Sequence, residues 1–159
     1  MKHFKKTDDS VHAFDDDYFG PLITTDMTAI SEEQVAALRA PSLAALKVKK
    51  NEEVNACRLA ANFTTFPHAG KVFSCDALSR SDIDGANGMI ANLGAMPPGW
   101  PGGWKAVDNT VLPIATVADW KAFYGSMFAS GNANFIHAQD LKTALAAATT
   151  AAQVAAIVW

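Results

Sequence analysis

The stretch "WPGGWKAVDNTVLPIATVADW", residues 100–120, decides how the chain folds, and it holds three of the four tryptophans in 159 residues. Just upstream, "MPPGWPGG" (residues 96–103) carries three prolines and three glycines in eight positions, a composition that no helix or strand interior accepts. After it, "WKAVD" and "TVLPI" are two short β-type runs that bracket Asp108-Asn109. Asp and Asn tolerate left-handed backbone and fold their side chains onto the chain two residues on. The pair therefore reads as the turn of a hairpin rather than as a catalytic couple. Thr116 is then placed as the N-cap of a long helix.

Working toward the C-terminus, Val117, Trp120, Tyr124, Met127, Leu141 and Leu145 recur in steps of three and four, which is the spacing of one helix face. Gly131 and Asn134 are weak members in the middle. "TTAAQVAAIVW" repeats a capping box, with Thr150 as cap and Gln153 three residues later, before a short last helix.

Working toward the N-terminus, "SRSDIDGANGMIANLGA" predicts a Gly-interrupted helix capped by Ser79 or Ser81. "FTTFPHAGKVFSCD" predicts strand, turn and strand, with the turn at Pro67–Gly70. Before it, Leu43, Leu46, Val54, Cys57 and Ala61 form a thin apolar stripe on a helix that Ser42 caps. Such a stripe packs on a small patch or joins copies of itself. Ser31 and Gln34 make another capping box, Ile30 and Val35 sit at staple positions, and Pro41 ends the helix. In the first 27 residues, "KHFKK" and "VHAF" flank "TDDS" and predict a β-hairpin, too small to be stable alone.

The expected fold is α+β and predominantly helical, with an N-terminal hairpin, a central helix, short hairpins and a long C-terminal helix. Its segments are residues 1–41 as a docking element, 42–62 as a helix with oligomerisation potential, and 63–159 as an α+β domain.

Composition narrows the function classes. Half the residues are hydrophobic and 18% are charged, a globular mixture rather than a disordered one. The net charge is −3, and the one dense basic run, "KVKK" at residues 47–50, leads straight into Glu52 and Glu53. That argues against nucleic-acid binding, which needs a basic stripe. No run approaches the length of a membrane span, and no apolar segment follows the charged start as in a secretory signal. A soluble protein made in the cytosol is expected, with Cys57 and Cys75 reduced.

Chemistry-bearing residues do not assemble into a mechanism. His3, His12, His68 and His137 lack metal-ligand spacing among themselves or with the cysteines, so no metal and no cofactor is expected. There is no nucleophile elbow, and the paired acids at Asp15–Asp17 and at Asp82 with Asp84 fall in loops or first helical turns. No catalytic residue is assigned, and the chain is read as a non-enzyme. Trp104 is read as anchoring the Asp108-Asn109 turn to the core. Trp100 is open to two readings: a platform for a sugar face, or a cover for the core where the Pro/Gly loop lacks side chains.

From Arg58 to Trp159, the pieces "GKVFSCDALSRSDIDG", "WKAVDNTVLPIATVADWKAF" and "FIHAQDLKTALAAATTAAQVAAI" resemble a domain of unknown function found near the C-terminus of tailed-bacteriophage tail proteins. The first third resembles the N-terminus of small tail-fibre and tail-fibre-assembly proteins, where an aromatic hairpin leads into a helix start. The resemblance implies a fibre- or baseplate-associated structural protein of the virion tail, synthesised in the host bacterial cytoplasm, whose partners are other tail proteins. A tail-fibre assembly chaperone is the alternative, and a carbohydrate-binding receptor tip using Trp100 is a second. The expected partner contacts on the hairpin are Phe4 and Phe14. The expected contacts of a homo-oligomer, with a trimer favoured, are Leu43, Leu46, Val54, Trp120, Tyr124 and Met127.

Overall fold

A computed structural model describes residues 1–159. The chain divides into two compact units, Met1–Ala45 and Leu46–Trp159. It is α+β with helix predominating, as expected.

In the first unit, β1 (Lys2–Lys5) and β2 (Val11–Phe14) form the expected antiparallel hairpin, with Phe4 opposite His12. A third strand, β3 (Thr28–Ile30), was not expected and pairs with the other edge of β1. The sheet order is β2-β1-β3. Helix α1 (Glu32–Arg39) starts at the predicted capping box: Ser31 Oγ accepts from Gln34 N–H, and Gln34 Oε1 accepts from Ser31 N–H. Pro41 follows its end, and Ser42 Oγ accepts from Ala45 N–H to open the next helix.

Helix α2 (Leu43–Asn62) lies almost wholly within the second unit. It runs antiparallel to the C-terminal half of α4 (Val117–Ala147): Lys47 Nζ donates to Ala146 O at 2.9 Å, and Asn134 Nδ2 donates to Asn62 Oδ1 at 2.9 Å. Arg58 lies over the Phe135 ring between them. The thin stripe is therefore an intrachain seam in which Val54 is the buried residue. α4, at 31 residues, continues unbroken through Gly131 and Asn134 and spans about 46 Å at 1.5 Å per residue.

Strands β4 (Thr65–His68) and β5 (Lys71–Ser74) form a hairpin whose two-residue turn is Ala69-Gly70, both at positive φ. Pro67 was expected in that turn and instead sits in β4. It faces Val72 at a position whose backbone N points away from the partner strand, so the missing N–H costs no ladder bond. Helix α3 (Ala77–Leu93) is capped by Asp76, not by Ser79 or Ser81. The Asp76 carboxylate accepts from the N–H groups of Leu78 and Ser79 and from the hydroxyls of Ser74 and Ser79. Four donors outcompete one serine hydroxyl. Strands β6 (Gly103–Lys105) and β7 (Val111–Pro113) follow, and after α4 the chain ends in α5 (Ala151–Ala155), capped by Thr150 as predicted.

The core gathers Phe66, Phe73, Ile83, Ile90, Ile114, Trp120, Phe123 and Met127. Phe73 and Phe123 meet edge to face at 4.9 Å.

The donors around Asp76 hold its carboxyl far below its ordinary value of 3.8, and the hydroxyls of Ser10, Thr110 and Thr116 lower Asp8, Asp108 and Asp119 in the same direction. A folded pKa below the unfolded one contributes stability that is present above the unfolded value and lost as pH falls through the folded value. Thermal melts followed by circular dichroism are therefore expected to show Tm dropping below about pH 4. Asn caps about as well as Asp without titrating. Asp76→Asn should keep the melt at pH 7 within a few degrees and make the acid decline shallower, whereas Asp76→Ala should lower Tm at pH 7 by about 5 °C.

Candidate functional site

The opening stretch folds as a Pro/Gly loop, the β6–β7 hairpin and the start of α4. Trp100 and Trp104 stack with centroids 6.2 Å apart, and both meet Trp120 edge on, at 5.4 and 5.5 Å. The Trp100 indole N–H donates to Ile114 O at 2.7 Å. Trp100 thus closes the Pro/Gly loop over the core, stacked on Trp104 and with its indole N–H bonded to the backbone. Trp104, in β6, packs on Trp120 and Phe123.

Asp108-Asn109 is a turn. Ala106 N–H bonds Thr110 O, Asn109 N–H bonds Ala106 O, and Asn109 takes a left-handed φ of 64°. Asp108 Oδ1 accepts from both the N–H and the hydroxyl of Thr110. This is a three-residue hairpin loop with its third residue in the left-handed region, where Gly and Asn are at home. Asn109→Gly is expected to leave stability within about 0.5 kcal/mol, and Asn109→Val to lower it by about 1–2 kcal/mol, read from denaturant midpoints.

The six expected oligomer contacts separate. Trp120 is fully buried, Val54 and Met127 are each 3% exposed, and all three are interior residues of this chain. Tyr124 is half-buried and donates its hydroxyl to Asp84 Oδ1 at 3.1 Å. Leu43 and Leu46 are half-buried. Apolar side chains that do face outward were not singled out by periodicity: Phe128 is 69% and Ile136 51% exposed. On the N-terminal sheet, Phe4 meets Phe14 edge on at 5.8 Å and Phe14 stacks on Tyr18 at 5.2 Å. The more exposed ring is Phe19, at 84%, with Lys2 Nζ 3.6 Å from its centroid.

No three of the His, Cys, Asp and Glu side chains converge to hold a metal ion. His68 Nδ1 lies 2.8 Å from Ser126 Oγ, and its ring packs edge on against Phe123. Ser126 also donates to Ala122 O within its own helix, which ties the hydroxyl to the backbone. His137 packs on Trp159. Both cysteines are free, and burial pushes the Cys75 thiol up, away from the reactive thiolate. No helix is long and apolar enough to cross a membrane.

A cleft of about 530 Å³ is lined by Ser74, Ser79, Asp82, Gly103–Val107 and Asn109. Its walls are the outer edges of β5 and β6 and the first turns of α3. Neither Lys105 nor Asp82 has an ion-pair partner. The sequence showed the two hairpins but not their proximity, which rests on contacts across more than thirty positions: Val107 N–H to Val72 O, and Lys71 Nζ to Thr110 Oγ1 at 2.5 Å.

No curated protein and no solved structure matches the chain. A family does match, over residues 45–158, which is nearly all of the second unit and more than two thirds of the chain. With its capped helices, paired hairpins and tryptophan-closed core, the chain belongs to the family described as Domain of unknown function (DUF4376).

Proposed function

We propose that the chain is a non-enzymatic structural component of a tailed-bacteriophage tail, associated with the fibre or the baseplate. The observation that carries this reading is the small N-terminal unit, a three-stranded sheet whose edge strands β2 and β3 each lack an outer partner in the chain. Beside it, Phe19 and Leu22 are 84% and 63% exposed. An open sheet edge with apolar side chains nearby suits docking by strand addition onto another protein. The resemblance of "WKAVDNT" and its flanks to tail-protein domains supports a tail as the assembly in which such docking would take place. Self-association into a homo-oligomer, a trimer by preference, belongs to the same proposal and falls to outward residues such as Phe128 and Ile136.

The test is quantitative mass spectrometry of purified tail particles, counting this chain against the major tail proteins. A fixed ratio in multiples of three or six supports a structural component. Absence from particles, with the chain abundant in the lysate, replaces this reading with that of a tail-fibre assembly chaperone, which the same docking sheet would also serve.

A further inference from the structure

The cleft between the two hairpins is a fork between strand edges. In an antiparallel pair, successive residues alternate between those whose N–H and C=O face the partner strand and those whose groups face away. In the β4–β5 hairpin, Cys75 N–H bonds Thr64 O, which fixes Phe73 as facing β4 and Val72 and Ser74 as facing outward. In the β6–β7 hairpin, Ala106 N–H bonds Thr110 O and Ile114 N–H bonds Gly102 O, which turns Gly103 and Lys105 outward. The two outward edges meet at one bond, Val107 N–H to Val72 O at 2.9 Å. Beyond it no ladder bond joins them, and the cleft of about 530 Å³ opens between Ser74 on one side and Gly103 and Lys105 on the other. Gly103 is buried, yet its peptide N–H and C=O have no hydrogen-bond partner in the chain. Buried backbone groups are nearly always paired, so orphans on a strand edge mark a place where a partner is missing.

We propose that this fork accepts an extended segment of a partner polypeptide, which pairs with both edges and joins the two hairpins into one sheet of order β4-β5-segment-β6-β7. The occupant is a peptide strand because β6 presents the outward N–H and C=O groups of Gly103 and Lys105 two residues apart, with the outward groups of Ser74 facing them across the cleft, a spacing that another extended backbone matches. Beneath the fork, Phe73 and Ala106 already close the core, at 0% and 3% exposure, so side chains of the segment that face inward must be small. Unpaired Asp82 and Lys105 at the rim select a segment carrying a base and an acid on its outward positions. The inference does not depend on whether the chain is retained in a tail particle.

The test pans a displayed library of random linear twelve-residue peptides against the full chain and measures the selected peptides on variants. Lys105→Pro and Ser74→Pro each delete one outward N–H and no ladder bond of either hairpin, while Lys105→Ala and Ser74→Ala remove only the side chains. The expected result is binding that weakens at least about tenfold in each proline variant and by much less in each alanine variant. Bound peptide should also slow amide hydrogen exchange at Gly103, Lys105 and Ser74. Thermal melts check that the proline variants remain folded. Peptides that bind the proline variants as tightly as the parent, or a library that yields none dependent on these positions, overturn the proposal. Protection of the same amides on concentrating the chain alone, without peptide, overturns it in favour of a second copy in the fork.

Discussion

Trp120→Ala is expected to lower the stability of the Leu46–Trp159 unit by about 4 kcal/mol, within the range of large-to-small core substitutions. Trp120 is fully buried and touches Trp100, Trp104 and Phe123, with ring centroids 5.4, 5.5 and 5.5 Å away. Its indole N–H donates to Asn87 Oδ1 at 3.2 Å and so fastens α3 to α4. Alanine leaves a cavity that the Pro/Gly loop has no spare side chain to fill, and it withdraws the surface on which Trp100 and Trp104 both rest. Against a typical total of about 5–15 kcal/mol, the variant should be partly unfolded at 37 °C. Chemical denaturation followed by tryptophan fluorescence reads the loss. Trp120→Phe keeps most of the packing and should cost about half as much, while Asn87→Ala leaves a buried N–H without a partner and should cost about 1–2 kcal/mol. Equal, small losses for all three would mean that the tryptophan cluster does not hold the helices together.

The parts of this fold that were legible in the sequence are those whose physics is local. "TDDS" at residues 7–10 and "VDNT" at residues 107–110 fold into the same loop. Asp8 and Asp108 each accept from the N–H and hydroxyl of the residue two positions on, and Asp9 and Asn109 take φ of 66° and 64°. An Asp, then Asp or Asn, then Ser or Thr is sufficient for that geometry, whichever unit contains it. The capping boxes at Ser31 and Thr150, and Thr116 as a cap, were readable for the same reason. Asp76 was missed because Ser79 and Ser81 are also acceptable caps. The deciding donor, the Ser74 hydroxyl, comes from the end of a strand rather than from the helix.

What the sequence left open was decided by contacts between distant residues. The stripe on α2 contains one fully buried residue, Val54, so its periodicity says that the helix packs and not on what. The answer depends on Lys47 reaching Ala146, 99 positions away. The stripe on α4 was read with the right phase but assigned to partners: Trp120 and Met127 face the interior of their own chain. A helix face reports burial and does not distinguish burial within a chain from burial between chains. β3 was missed because three residues, Thr28–Ile30, are too short for an alternating pattern to stand out from a helix start that follows at once. The β5–β6 fork could not be read either, since it consists of backbone edges, and backbone edges leave no trace in residue identity.

Gly103→Ala is the second substitution with a large expected effect, about 3 kcal/mol of stability, at the upper end of overpacking costs. Gly102 and Gly103 are adjacent glycines required for different reasons. Gly102 has φ of 80°, a conformation in which any Cβ is strained. Gly103 has ordinary strand backbone, and its need is for space: an added Cβ would collide with Leu112 O and lie 2.7 Å from Val111 Cγ1. The Leu112 carbonyl is part of β7 and cannot swing aside as a side chain would, so the hairpin must open or shift. Opening it pulls on Trp104, which neighbours Gly103 and packs on Trp120, and on Ile114, whose N–H bonds Gly102 O. Gly102→Ala should therefore cost about 1–2 kcal/mol through local strain alone and leave the hairpin paired. Gly103→Ala should in addition speed amide exchange at Trp104 and Leu112, the pair that bonds across β6 and β7. If both variants lost the same modest stability with unchanged exchange, the close approach of β7 to Gly103 would not be what fixes glycine there.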